Sequence, residues 1–394
     1  MKTKETKYHG LIWFGAAVSI AEILTGTFLA PLGFQKAVLA ILIGHFIGAI
    51  IFYLAGYIGA DTGKSAMDTV KIAFGEKGAY FFSIANILQL VGWTAIMIIS
   101  GAKAVAYALN PVLGFNSATP WSLLIGLLIM LWIKIGIKNL EKINSAVMLL
   151  LFLLTIVISF SIFGRPLINT ADGSMSFGAA VELAIAMPLS WLPLIADYTR
   201  FAEQKRSTSA VSAITYFAVS CWMYVIGVGA VCFTGASDIV TIMLEAGLGI
   251  AAVIVVIAST VTTTYLDVYS AGVSVKSIFT KASEKRYAFA VAILGTALAV
   301  LAPVDHFESF LYVIGSIFAP MFAILITDYF VLKSDSSMHA YNHVNAVVWL
   351  IGFLFYRYML PFDLIIGVTI PVMVAIGALK LIISGGLRYV HSAS

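Results

Sequence analysis

Two carboxylates, two tryptophans and a run of hydroxyls interrupt stretches otherwise built of Leu, Ile, Val and Ala. Glu22 lies in WFGAAVSIAEILTGTFLAPLG and Asp267 in ASTVTTTYLDVYSAG. An ionised carboxylate inside a bilayer costs roughly 2.5–3.5 kcal/mol on insertion scales, so each must face a cavity or a partner. Glu22 suits a role in substrate or proton handling, or a structural bond to broken backbone. Helical spacing puts Asp267 on one face with Thr260, Thr263 and Thr264, as a site lining or as a structural set. The hydroxyls of Ser259, Thr260, Thr262, Thr263 and Thr264 either bond back to their own helix or offer oxygen ligands to a hard cation such as sodium. A proton-driven carrier would keep the same hydroxyls without binding sodium. Trp93 and Trp191 sit deep in apolar sequence, away from the interfacial belt where membrane tryptophans concentrate. They suit stacking of a flat heteroaromatic solute, or packing. Pro188 and Pro193 bracket Leu189, Ser190, Trp191 and Leu192, and two prolines so close free several backbone carbonyls. Such carbonyls survive at membrane depth only beside protein or a water-lined cavity, which predicts an unwound segment there. Glu182 and Asp197, nearer the ends of the same stretch, read as interfacial or capping groups, while His45 and Lys103 carry no assigned role.

The elements that must position these groups are membrane-spanning helices. Of 394 residues 61% are hydrophobic and 11% charged, and the mean hydropathy is +1.01, so a water-soluble fold would lack a charged surface. Apolar runs near the 20 or so residues that cross a bilayer number twelve. They fall near residues 10–33, 36–58, 79–108, 119–138, 143–163, 177–199, 208–234, 248–276, 286–303, 308–332, 342–358 and 361–383. Continuous rather than alternating hydrophobicity excludes a β-barrel. Of the 23 Lys and Arg residues, only Lys36, Arg165 and Arg357 fall outside and Lys103 within a span when the N-terminus is placed in the cytoplasm. That bias predicts an inner-membrane protein with both termini cytoplasmic. The basic start MKTKETKYHG is followed by a run too long for a leader, so no processing is expected. Cys221 and Cys232 lie in one apolar run, which argues against a disulfide or a metal centre. No phosphate-binding loop or catalytic triad is present, so ATP-driven transport and membrane-embedded catalysis are disfavoured.

Discontinuous helices at matching places in two halves point to a carrier made of inverted repeats. Glu22 and Trp191 mark interruptions in spans 1 and 6, and Trp93 and Thr262 stand at the same separation in spans 3 and 8. This divides the chain into residues 1–165 (spans 1–5), 166–335 (spans 6–10) and 336–394 (two added spans).

The segments PLSWLPLIADYTRFA (188–202) and GSIFAPMFAILITDYFVLKS (315–334), with span 8 and the VGW of span 3, resemble the nucleobase-cation symporters, the purine, pyrimidine and hydantoin permeases. Within that family the chain is similar to the short hydroxymethylpyrimidine carriers linked to thiamine-precursor salvage. The resemblance implies an all-α, LeuT-type five-plus-five fold with discontinuous helices 1 and 6 and alternating access. It implies a substrate ring stacked between Trp93 and Trp191, beside Ser190, Glu22 and the position of Asp267. A glutamine of hydantoin carriers falls on Met97 and an asparagine on Asp267, two departures that would favour a ring offering donors, such as a 4-aminopyrimidine. The family's sodium site maps onto the carbonyls of Ala17 and Ile20 and onto Ser259, Thr262 and Thr263. The expected activity is import of a pyrimidine, hydroxymethylpyrimidine before cytosine, coupled to Na+ or H+, with no cofactor, nucleic acid or obligate protein partner and with membrane lipid around it. A membrane sensor that binds without transport is the alternative of a different class.

Overall fold

A computed structural model describes residues 2–136, 141–168, 170–236, 249–302 and 307–393. Its described residues form helices and their connections. In chain order these are α1 (Lys2–Ala17), α2 (Ile20–Phe28), α3 (Phe34–Thr62), α4 (Ala66–Phe74), α5 (Ala79–Leu113), α6 (Thr119–Ile135), α7 (Glu141–Phe163), α8 (Phe177–Ser190) and α9 (Leu192–Thr199). There follow α10 (Lys205–Thr234), α11 (Gly249–Ile278), α12 (Glu284–Leu301), α13 (Phe307–Ile326), a π turn (Thr327–Leu332), α14 (His343–Met359) and α15 (Thr369–Ala393). Taking α1 with α2 and α8 with α9, and leaving α4 aside, the described helices group into twelve successive segments that coincide with the twelve apolar runs. Seven stretches among the described residues are long and apolar enough to span a bilayer by themselves, and the bent pair α1–α2 makes an eighth.

Helix ends follow local chemistry. Gly63, Gly114 and Gly235 close α3, α5 and α10 in the left-handed conformation that a side chain resists. Ser65, Ser176 and Asn342 cap α4, α8 and α14 with side-chain oxygens. The short α4 was not visible as an apolar run, yet most of it is buried, and Asp197 of α9 accepts its Ala66 amide at 2.9 Å. Glu182 likewise caps the start of α15, accepting from the Val368 and Thr369 amides at 2.7 and 2.9 Å. Both acidic residues of span 6 thus satisfy helix starts whose amides have no partner of their own.

The core is centred on span 6, which neighbouring helices surround on all sides. In its most apolar stretch 94% of the residues are buried. Gly44 and Gly48 of α3 let that helix approach Ala184 and Pro188 of α8, and Gly59 does the same at Ala196 of α9. A methyl at any of the three would overlap those atoms. Gly26 of α2 and Gly227 of α10 meet in the same way, backbone against backbone. Leu88, Leu127, Phe160, Leu298 and Val374 point outward and are exposed, the arrangement expected where hydrocarbon is the solvent.

The span 1 break falls at Val18 and Ser19, where the chain bends by 52°. The expectation for span 6 needs correction, because α8 ends at Ser190 and α9 starts at Leu192, so the interruption is Trp191 alone. Trp191 keeps near-helical dihedrals (φ −90°, ψ −9°). Pro193 stands at the start of α9, where the amide it lacks would have had no helical partner, so the second proline widens nothing.

Candidate functional site

The two breaks face each other across a small cavity lined by Ser19, Ala21, Glu22, Trp93, Met97, Met187, Ser190, Trp191, Thr263 and Asp267. Glu22, Trp93, Met97, Ser190, Trp191 and Asp267, separated by up to 245 positions in sequence, therefore share one space. About 10 Å³ is open to the centre of a water-sized sphere, roughly what one water needs. A heteroaromatic ring enters only if the walls separate.

Each indole is backed by other rings. Trp191 stands edge-on to Trp13 (5.7 Å, 90°) and near Tyr216 (6.2 Å), while Trp93 is edge-on to Phe310 (5.7 Å, 70°). Met97 is 3% exposed and fills the space one turn beyond Trp93. The Ser190 hydroxyl donates to the Met187 carbonyl at 2.6 Å, closing the last turn of α8.

Asp267 differs from every other buried acid. It is 4% exposed, it borders the cavity, and among the described residues no donor reaches its carboxylate. Thr263, one turn earlier, shares its cavity-facing side, whereas Thr260 packs against Gly101 of α5. The expected common face of Thr260, Thr263, Thr264 and Asp267 therefore divides between cavity and packing.

Glu22 has partners. Ser19 caps α2 and accepts the Glu22 amide at 3.3 Å, while the Glu22 side chain turns toward α10. One oxygen accepts from Tyr216 Oη at 2.6 Å and the other lies 2.7 Å from Ser220 Oγ. Ser220 Oγ also lies 2.6 Å from His45 Nε2, and His45 Nδ1 lies 3.0 Å from the Ile41 carbonyl. A carbonyl only accepts, so Nδ1 carries a proton. If the ring is neutral, Nε2 accepts the Ser220 proton and Glu22 must be protonated to bond Ser220. If Glu22 is ionised, Nε2 must carry a second proton. In either case the chain Glu22–Ser220–His45 holds one proton more than a carboxylate and a neutral imidazole would.

The hydroxyls of α11 meet the span 1 break. Ser259 Oγ donates to the Val18 carbonyl at 2.8 Å and Thr263 Oγ1 to the Gly15 carbonyl at 3.2 Å. Thr262 instead donates to Ala258 and Ser259 of its own helix, both at 3.0 Å. The Ala17 carbonyl accepts the Ser19 amide at 2.9 Å and Ile20 opens α2, so both border the break, one and two residues from the Val18 carbonyl that Ser259 reaches. The set is all oxygen and mostly backbone, the ligand type a hard monovalent cation takes.

Sequence reasoning passed over Asn86 and Gln89. Asn86 Nδ2 donates to the Pro193 carbonyl at 3.1 Å and to Ser274 Oγ at 2.8 Å, and Gln89 Nε2 donates to the Ser190 carbonyl at 3.3 Å. Gln89 thereby takes up the Ser190 carbonyl at the break, and Asn86 ties α5 to α9 and α11. Their signal was two amide side chains a helical turn apart in an apolar span. Tyr216 and Ser220, spaced i and i+4 in span 7, gave a similar signal. For span 1 the sequence held Ser19-x-x-Glu22, the spacing of a helix start inside a span. Lys103 is exposed on the outer face of α5, away from the site.

Residues 2–382 match the family described as permeases for cytosine/purines, uracil, thiamine and allantoin. The chain belongs to this family. Its relatives include the cytosine permease of Escherichia coli (strain K12), 24% identical over 350 residues, or 86% of this chain and 80% of that protein. The vitamin B6 transporter of Saccharomyces cerevisiae is 21% identical over 82% of this chain and 60% of its own length. Among solved structures, Mhp1 in its inward-facing conformation superimposes with a TM-score of 0.80 at 16% identity, over 98% of this chain and 90% of that one. Mhp1 in a closed conformation with bromovinylhydantoin bound gives 0.79 at 18% identity, over 98% and 92%. The fold is thus the LeuT-type arrangement of the nucleobase-cation symporters, and this chain is a multi-pass membrane transporter of a family whose members are permeases.

Proposed function

We propose that this permease imports a 4-aminopyrimidine, hydroxymethylpyrimidine in preference to cytosine, by cation symport with alternating access across the inner membrane. The observation that carries this reading is Asp267, a buried carboxylate facing the cavity between Trp93 and Trp191 with no donor on it among the described residues. An unpaired buried carboxylate needs donors from whatever enters the cavity. An exocyclic amino group beside a protonatable ring nitrogen supplies them in line, while the indoles hold the ring faces and Met97 gives a purely apolar contact. A uracil-type ring opposes carbonyl oxygens to the same carboxylate along part of its edge. The cytosine and vitamin B6 carriers among the relatives move flat heteroaromatic solutes, which is compatible with this site.

The site residues then have these roles: Trp93, Trp191, Met97, Ser190 and Asp267 on the substrate, and Glu22 holding α10 at its rim. Sodium, as co-substrate, would replace the hydroxyl-to-carbonyl bonds of Ser259 and Thr263 at the break, with Ala17 and Ile20 beside it and Thr262 one position away. Binding there ties α11 to span 1 and thereby the cation to the substrate wall. A second reading, proton coupling, is favoured by the extra proton that the Glu22–Ser220–His45 geometry requires. The division into repeats 1–165 and 166–335, with 336–394 added and both termini cytoplasmic, completes the proposal.

The test is uptake of labelled 4-amino-5-hydroxymethyl-2-methylpyrimidine into proteoliposomes under a sodium gradient or a pH gradient alone, with cytosine and uracil as competitors. We expect accumulation that cytosine inhibits weakly and uracil hardly at all. Asp267→Asn should reduce uptake by about 100-fold, the scale of losing one partner of a buried charged contact. Equal inhibition by uracil, or unimpaired uptake by Asp267→Asn, would overturn the substrate reading. Accumulation under the pH gradient alone would move the coupling from sodium to the proton.

A further inference from the structure

A second cavity, of about 460 Å³, lies between α1, α7 and α10, outside the substrate site. Its size falls within the roughly 300–1,000 Å³ typical of ligand pockets. Phe14 and Val18 form its floor, Phe152, Thr155 and Ile156 one wall, and Ala218, Val219 and Trp222 the other. The two polar side-chain groups in this lining are committed to each other or to backbone. Thr155 Oγ1 donates to the Phe152 carbonyl at 2.8 Å, and the Trp222 indole N–H donates to Thr155 Oγ1 at 3.4 Å. No donor in this lining is left unspent, and the remaining Thr155 lone pair is too little to hold ordered water, which needs two to four polar partners. Its lining suits hydrocarbon rather than a polar solute.

The cavity opens sideways, onto the surface that faces the bilayer. Phe152 and Trp222 at its mouth are 42% and 38% exposed, and Leu153, Phe160 and Ile214 continue the same apolar surface along α7 and α10. Its inner end is the back of the span 1 break. Val18 is 3% exposed, its amide donates to the Phe14 carbonyl at 3.0 Å, and its carbonyl receives Ser259 Oγ. The cavity therefore touches, from the lipid side, the same residue whose carbonyl faces α11.

We propose that this cavity is a binding site for one acyl chain of a membrane phospholipid, and that the chain braces the span 1 break from behind. Phospholipid is the occupant because the mouth is continuous with the hydrocarbon-facing belt, where acyl chains are the medium. A bound chain fills the space into which Phe14 and Val18 would move if α1 swung toward α7 and α10, so chain occupancy biases the hinge. The inference stands on family membership and this geometry, and it is independent of which solute or ion is carried.

The test is photolabelling of the intact protein in phosphatidylethanolamine and phosphatidylglycerol vesicles doped with a phospholipid bearing a mid-chain diazirine, mapped by mass spectrometry. Label is expected on Phe152, Ile156 and Trp222, enriched over the outward-facing Leu127 and Val374. Ala218→Trp and, separately, Val219→Phe fill the cavity and should remove label from these three positions while leaving Leu127 and Val374 labelled. Two filling variants guard against one that fails to fold, and retained labelling of the outer surface reports that the protein is intact. Even labelling around the belt, labelling that both filled variants keep, or labelling by a free fatty-acid probe but not by the phospholipid would each overturn the proposal. Loss of pyrimidine uptake with normal labelling would count against the substrate reading and leave this one standing.

Discussion

The two broken spans reach one cavity by different means. Span 1 has no proline at its break, yet it bends by 52° over two residues. Span 6 has two prolines and interrupts its helix at a single residue. In span 1 the opening is made by a helix start, Ser19 capping α2, and held by hydroxyls that α11 sends to the Gly15 and Val18 carbonyls. In span 6 the Gln89 amide of α5 takes up the Ser190 carbonyl at the break, and Asn86 bonds the Pro193 carbonyl just beyond it. Hydroxyls can release a carbonyl to a cation, since both bonds are weak and local. A carboxamide with two well-placed donors is a stiffer clamp. Under the proposed symport, this difference would place movement and cation exchange at span 1 and a fixed wall carrying Trp191 at span 6.

Three substitutions sharpen or break that contrast. The largest effect on stability is expected for Asn86→Ala, which removes buried bonds to the Pro193 carbonyl, Ser274 Oγ and Gln89 Nε2. It should cost about 1–3 kcal/mol, seen as a lower thermal unfolding midpoint in detergent, with the sodium requirement of any remaining uptake unchanged. A shift in ion dependence without destabilisation would show that span 6 is not the fixed wall. Next comes Ser259→Ala, which should leave the unfolding midpoint nearly unchanged and raise the sodium concentration for half-maximal uptake roughly tenfold, equivalent to about 1.4 kcal/mol. An unchanged sodium response would detach these hydroxyls from coupling. The smallest effect is expected for Pro188→Ala, because Pro193 stays at the start of α9 and Gln89 still holds the Ser190 carbonyl. Stability should change by less than about 1 kcal/mol with uptake retained, and loss of substrate binding would mean that the proline itself shapes the wall.

Much of this protein was legible before any coordinates. Hydrocarbon thickness fixes the length of an apolar run, so the crossings followed from counting, and carboxylates or paired prolines in such runs are costly enough to mark a site. Residues whose role depends on a distant partner were less visible. Asn86 and Gln89 are ordinary amides until Ser190 and Pro193 come within reach, and Ser220 is an ordinary serine until α3 brings His45 to it. The span 6 break was overestimated for a related reason. A proline pattern reports which carbonyls lose their partners, but neighbouring side chains decide how far the backbone must open. Among the hydroxyls of α11, helical spacing grouped Thr260 with Thr263, and packing against Gly101 of α5 separated them.

The sequence by itself determined the membrane setting, the crossings, the candidate carboxylates and the pair of tryptophans, because transfer from water to hydrocarbon is a property of each residue and its immediate neighbours. Only the tertiary structure decided which acid is held and which is left open. Glu22 and Asp267 are equally costly in isolation, but α10 brings Tyr216 and Ser220 to the first and no described donor reaches the second. Hydrogen bonds act over about 3 Å, and Gly15 and Thr263, 248 positions apart, come within such reach only when the chain is folded.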